Sequence, residues 1–236
     1  GRIILQKVPE IIDLEAGIRG RVLEIKDGRG VIIEAAGARV QGMWANDKDT
    51  ISTMRVAPEG DLGQALGDSL ERRFGGSVLL TRQTLTRAGI GLITEQNLNG
   101  IIAPSMDIGL REFALSQERV ILLTEGFGNA RMSNAVFNLL AEYDGQQVTV
   151  DGHMASRWET RYPEVIINVQ QGDKRPSRPN TMQPLRAETT VRLTRDPHAG
   201  ATGRVLDLPK PPILLDNGLR VMCAQVELVA GEKLYI

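Results

Sequence analysis

Apolar and polar residues alternate in the first stretch of the chain and then regroup into solid apolar runs. Gly20-Arg21-Val22-Leu23-Glu24-Ile25 alternates, Asp27-Gly28 interrupts it, and Val31-Ile32-Ile33-Glu34 follows. An Asp-Gly pair between two such runs predicts a β-hairpin. Ala38-Arg39-Val40-Gln41-Gly42-Met43 adds another short strand. Short strands parted by glycine predict a small antiparallel barrel or sandwich over residues 1–60.

The rhythm changes after residue 60. Leu62, Leu66 and Leu70 recur every fourth position, which predicts a helix over 61–74. Ser77-Val78-Leu79-Leu80, Gly100-Ile101-Ile102-Ala103-Pro104 and Arg119-Val120-Ile121-Leu122-Leu123-Thr124 read as strands. The last is almost wholly apolar, as expected of a parallel strand covered on both faces. Helices are predicted between and after them, over 83–95, from an Asp107 N-cap, and over 129–143. This alternation predicts a central parallel α/β layer over residues 61–170.

Residues 151–236 hold 8 of the 11 prolines. The polar, basic stretch 171–188 reads as a linker or exposed arm. Strand-like runs follow at 189–194, 203–208, 220–229 and 233–236, with a turn at Asp216-Asn217-Gly218. They predict a small barrel of SH3-like size over 189–236. The expected fold class is therefore α/β plus all-β, in three modules. The chain opens at Gly1 and closes inside the apolar run Leu234-Tyr235-Ile236, so we expect a segment of a longer protein.

Composition narrows the chemistry. Lys+Arg 28 against Asp+Glu 29 gives a net charge of −1, which argues against a chain-wide nucleic-acid footprint but not a local one. One cysteine, Cys223, excludes an internal disulfide framework and a cysteine-cluster metal site. Two histidines, His153 and His198, speak against a histidine-rich zinc site, and both sit in turns. Aromatics are only 4%, so the core must be aliphatic. No apolar run reaches membrane-spanning length. We expect a cytoplasmic protein with no cofactor, no metal and no catalytic set.

The best candidate for ligand chemistry is Thr124-Glu125-Gly126-Phe127-Gly128-Asn129, which is expected to leave a strand and enter a helix. Ligands of α/β sheets sit beyond the carboxyl ends of strands, and glycines with helix N–H groups suit an anion. Ser105, ending the preceding strand, would lie beside it. The alternative is that the glycines only permit a tight turn. Asp107 and Glu125 offer a carboxylate pair for acid–base work, although helix capping is the commoner role. Asn46-Asp47-Lys48-Asp49 resembles the lysine turn where carrier domains attach lipoate or biotin, but its acids fit a solvated loop better. Lys174, Arg175, Arg178, Arg186, Arg192, Arg195 and Arg204 form a local basic excess that could meet RNA phosphates or an acidic partner. No aromatic is interleaved, so base stacking is unsupported.

Two resemblances follow from these residues. Val191-Arg192-Leu193-Thr194-Arg195-Asp196-Pro197-His198-Ala199-Gly200-Ala201-Thr202-Gly203-Arg204-Val205 looks like a KOW motif, which implies an SH3-like barrel of the kind found in ribosome- and polymerase-associated proteins. The runs Gly30–Glu34 with Val40-Gln41-Gly42, Leu123–Gly128, and Arg161–Ile166 resemble an uncharacterised bacterial family of multidomain proteins. That family carries barrel-sandwich (lipoyl-like) modules ahead of an α/β domain. Trp44-Ala45-Asn46-Asp47-Lys48 replaces its glycine-rich loop, and no catalytic residue carries over. The reading as a whole is a non-catalytic scaffold or self-assembling homo-oligomer. Its alternatives are a small anionic-ligand protein or enzyme, and an RNA-associated protein.

Overall fold

In the computed structural model, residues 16–58, 74–154, 161–168, 184–193, 198, 201–215, 218–229 and 231–236 are described. The expected Asp27-Gly28 hairpin forms: β1 (Arg21–Lys26) pairs antiparallel with β2 (Gly30–Glu34). It stands as a two-stranded sheet of its own.

The next strands do not stay with it. β3 (Gly37–Gln41), β4 (Trp44–Ala45) and β5 (Asp49–Val56) join β6 (Ser77–Leu80), β7 (Gly100–Met106), β8 (Val120–Phe127), β9 (Gln147–Asp151) and β10 (Glu164–Asn168). The eight-stranded order is β3-β10-β9-β5-β6-β7-β8-β4. The expected boundary at residue 60 is thereby corrected. Val40, Ala45 and Met54 belong to the same buried cluster as Val78, Leu80, Ile102 and Leu122. A few short strands cannot bury enough apolar surface alone, and these find it in the larger sheet. The parallel layer is also only part of the sheet. β5, β6, β7 and β8 run parallel, while β9, β10, β3 and β4 are antiparallel to their neighbours.

β3 and β4 stand at opposite ends of the strand order yet are separated by only Gly42 and Met43 in the chain. Gly42 N–H donates to Pro163 O beside β10 (2.7 Å), and Met43 N–H donates to Leu123 O of β8 (2.8 Å). One extended stretch thus serves as both edges, and the sheet closes on itself. Closure removes the open edges that would otherwise template aggregation.

The two faces of the strands carry two clusters. Val78, Leu80, Ile102, Leu122, Val150 and Val165 pack together with Leu140 of helix α3 (Asn134–Ala141). The alternate residues Leu79, Ile101, Ile121 and Leu123 pack under α1 (Arg87–Glu95) and the segment formed by a short 3-10 helix (Ile108–Leu110) and α2 (Arg111–Leu115). Thr86 N-caps α1 through Gly89 N–H and Ser133 N-caps α3 through Val136 N–H. Asp107 caps the 3-10 turn, accepting from Gly109 N–H at 2.7 Å. The helix expected over 61–74 lies outside the described residues except for Phe74, which is buried.

The remaining strands are β11 (Thr190–Arg192), β12 (Thr202–Asp207), β13 (Ile213–Leu214), β14 (Arg220–Val221), β15 (Gln225–Leu228) and β16 (Lys233–Tyr235). They form a four-stranded antiparallel sheet β11-β12-β15-β16 and a two-stranded ladder β13-β14. Leu193, Val205, Val226 and Leu228 make its small core, and Cys223 is buried. A Cβ on Gly203 would meet Glu227 O at 2.7 Å, so only glycine fits this crossing of β12 and β15. Among the described residues, no helix is long and apolar enough to cross a membrane.

Candidate functional site

β8 does not end at Thr124. It continues to Phe127, pairing Gly126 with Ser105 and Phe127 with Met106 after a bulge. The expected entry into a helix at Asn129 is corrected: α3 begins at Asn134 behind its Ser133 cap. Gly126 and Gly128 take φ of +91° and +115°, which L-residues rarely adopt. A Cβ on Gly128 would meet nothing within 4 Å, so this glycine answers to backbone conformation, not to close approach.

The candidate residues come together in two separate groups. In the first, the Ser105 hydroxyl donates to Ala130 O at 2.8 Å and lies 3.4 Å from the Thr84 hydroxyl. Thr84 donates to Asn129 Oδ1 at 3.0 Å, and Gly128 N–H donates to Met106 O at 2.9 Å. These bonds tie the loops after β6 and β8 to each other and to the end of β7.

The second group joins residues far apart in sequence. Arg192 of β11 donates to Glu125 Oε1 at 2.9 Å, to Thr124 O at 3.3 Å and to Gln41 O at 3.2 Å. The Glu125 side chain has no exposure and that of Arg192 is 20% exposed. One guanidinium therefore links the C-terminal strands to β8 and to β3. Glu125 Oε2 and the Thr124 hydroxyl are buried with no hydrogen bond of regular geometry. Burial raises the Glu125 pKa above its ordinary value, and Arg192, the Ser133 backbone and the Thr124 side chain oppose that rise without cancelling it. The expected acid–base pair does not assemble for joint work: Asp107 caps a 3-10 turn, and Glu125 is sealed against an arginine.

The other basic candidates divide. Arg204 pairs with Glu188 (2.8 Å) and Glu227 (3.6 Å). Arg186 is exposed, while Lys174, Arg175, Arg178 and Arg195 lie outside the described residues. The Lys48 turn joins β4 to β5, which are not paired to each other, so Lys48 is exposed but not at a hairpin tip.

Three arrangements have no local signature in the sequence. Asn46, 2% exposed, donates to Ala114 O (3.1 Å) and Arg119 O (2.8 Å) and accepts from Ile121 N–H (2.9 Å). It staples the α2–β8 connection to β4. Asp151 binds His153 Nδ1 at 2.7 Å and pairs with Arg161 through its other oxygen. Burial alone would raise Asp151, but the side-chain and backbone bonds of His153 and the Arg161 contact outweigh it and hold the carboxyl below its ordinary range. The third is a cleft of about 530 Å³ lined by Arg82, Gln83, Arg131, Met132, Ser133 and Asn134. The first and the third depend on segments distant in sequence, whereas Asp151, His153 and Arg161 fall in one stretch, 151–161.

No protein-family model, curated protein or solved structure matches the chain.

Proposed function

We propose that this chain is a non-catalytic structural module that assembles with further copies of itself through its β-rich ends. The observation that carries the reading is the hairpin β1–β2, which pairs with no other strand among the described residues. Val22, Leu23, Ile25, Val31 and Ile32 on it are each more than 40% exposed. Two strands alone are marginal in water, and a hairpin this apolar gains most by pairing with a partner. Leu214, Leu219, Met222, Val229 and Tyr235 add exposed apolar surface at the other end. The strand pairing and Gly203 support an SH3-like, KOW-type barrel for the C-terminal module. The barrel-sandwich reading of the first strands narrows to this hairpin. Engagement of Glu125 and Asp107 in structural contacts supports the non-catalytic part. We place the protein in the cytoplasm on the same reading.

The test is the native mass of the protein by light scattering over a range of concentrations. A discrete assembly that the double substitution Ile25→Lys with Ile32→Lys converts to monomer is the expected result. A wild-type chain that stays monomeric at every concentration overturns the reading.

A further inference from the structure

Arg82 and Arg131 follow the carboxyl ends of β6 and β8, and both line the cleft of about 530 Å³. That is where parallel sheets place their ligands. Arg82 is held in one orientation. Its guanidinium donates to Asn134 Oδ1 at 2.9 Å and to Asn138 Oδ1 at 3.3 Å, and its centre lies 3.8 Å from the Phe137 ring centroid. All these partners are neutral. Arg131 is exposed and has no ion pair among the described residues. The other lining residues, Gln83, Met132, Ser133 and Asn134, carry no charge.

The contrast with the other arginines is instructive. Arg192 and Arg204 each meet a carboxylate within 3 Å. Arg82 and Arg131 face one cavity with no carboxylate to balance them. The walls are fixed by the first group of candidate residues. Gln83 N–H donates to Thr81 Oγ1 at 3.0 Å, Thr84 ties to Asn129, and Ser105 ties to Ala130, the residue before Arg131. The residues that the sequence marked as ligands thus hold the loops that carry the two guanidiniums.

The geometry points to a binding site for a small phosphate-bearing anion in this cleft. Guanidinium forks match phosphate oxygens in pairs, and two of them suit a group with several oxygens and more than one charge. The volume is that of a small-molecule site. This site is independent of the assembly reading and stands whether or not the chain oligomerises.

The test is calorimetric titration of the full chain with inorganic pyrophosphate and, separately, with a nucleoside diphosphate, at constant ionic strength. Three variants accompany it. Arg131→Glu reverses one charge at an exposed position. Arg82→Lys keeps the charge and removes the fork. Arg220→Glu, on the exposed β14, makes the same charge change far along the chain. Dissociation constants below about 1 mM are expected for at least one ligand, weakened about tenfold or more by Arg131→Glu and by Arg82→Lys, and within about twofold in Arg220→Glu. No heat with either ligand up to about 10 mM overturns the proposal. So does a loss in Arg220→Glu equal to that in Arg131→Glu, because the net charge alone would then explain binding.

Discussion

β8 and the β1–β2 hairpin are built from nearly the same residues and end in opposite environments. Val120-Ile121-Leu122-Leu123 is buried on both faces, whereas Val22, Ile25, Val31 and Ile32 are exposed. The difference lies in the neighbours. β8 has β7 on one side, β4 on the other, α1 and α2 over one face, and on the other the cluster that includes Leu140 of α3. Among the described residues, the hairpin strands pair only with each other. An apolar strand therefore states a demand for burial but not what meets it.

Paired substitutions would break this comparison most directly. Arg192→Ala should have the largest effect, about 3–5 kcal/mol, because it leaves the Glu125 carboxylate buried without its cation. Denaturant titration measures it, and a loss below about 1 kcal/mol would show that the end of β8 is not sealed by the C-terminal strands. Ile121→Ala should follow at about 2–5 kcal/mol, since the side chain is fully buried. Ile25→Ala in dilute solution should stay within about 0.5 kcal/mol. Equal losses at Ile121 and Ile25 would mean the hairpin is covered in solution even in the single chain.

Most strands and the parallel core were legible in the sequence, and their organisation was less so. The runs at 77–80, 100–104 and 119–124 became β6, β7 and β8, because strands buried on both faces must be continuously apolar. The Asp27-Gly28 turn was legible because its chemistry is local. What escaped was everything carried by pairing at a distance. Val40 and Ala45 look like parts of an N-terminal module until β10 and β8 claim them. Thr124 looks like a strand end because Glu125-Gly126 breaks the apolar run, yet the bulge lets pairing resume at Gly126. Glu125 and Arg192 were both singled out, for two different ligands; their meeting needs the fold.

The two perturbed carboxyls sharpen the comparison through pH, with opposite signs. Glu125 is raised by burial, so the native state keeps a proton that the unfolded chain has released above its ordinary 4.5. Stability from this group is full below that value and is lost as pH rises through the folded-state value. Glu125→Gln should remove that slope in pH-dependent melts. Asp151 is lowered, so its contribution is present above its ordinary 3.8 and lost as pH falls through the folded-state value. Asp151→Asn should flatten the acid limb only. A variant that flattens the wrong limb would reverse the assignment of that carboxyl.

The smallest effect is expected from the ion pair on the hairpin, and its smallness is informative. Arg21 and Glu34 approach to 3.6 Å across β1 and β2, with Arg21 69% exposed. Solvent screens such a pair, and holding two long side chains in one geometry offsets the attraction. Arg21→Ala should change stability by less than about 0.5 kcal/mol in dilute solution, and raising the salt should shrink that difference further. The same chemistry at Glu125 and Arg192 is expected to matter several times more, because water is excluded there and Arg192 is the cation that pairs with the buried carboxylate. A loss at Arg21 as large as the loss at Arg192 would show that the hairpin lies in a shielded surrounding. The exposed apolar residues beside it would then be covered by another chain at the concentrations measured.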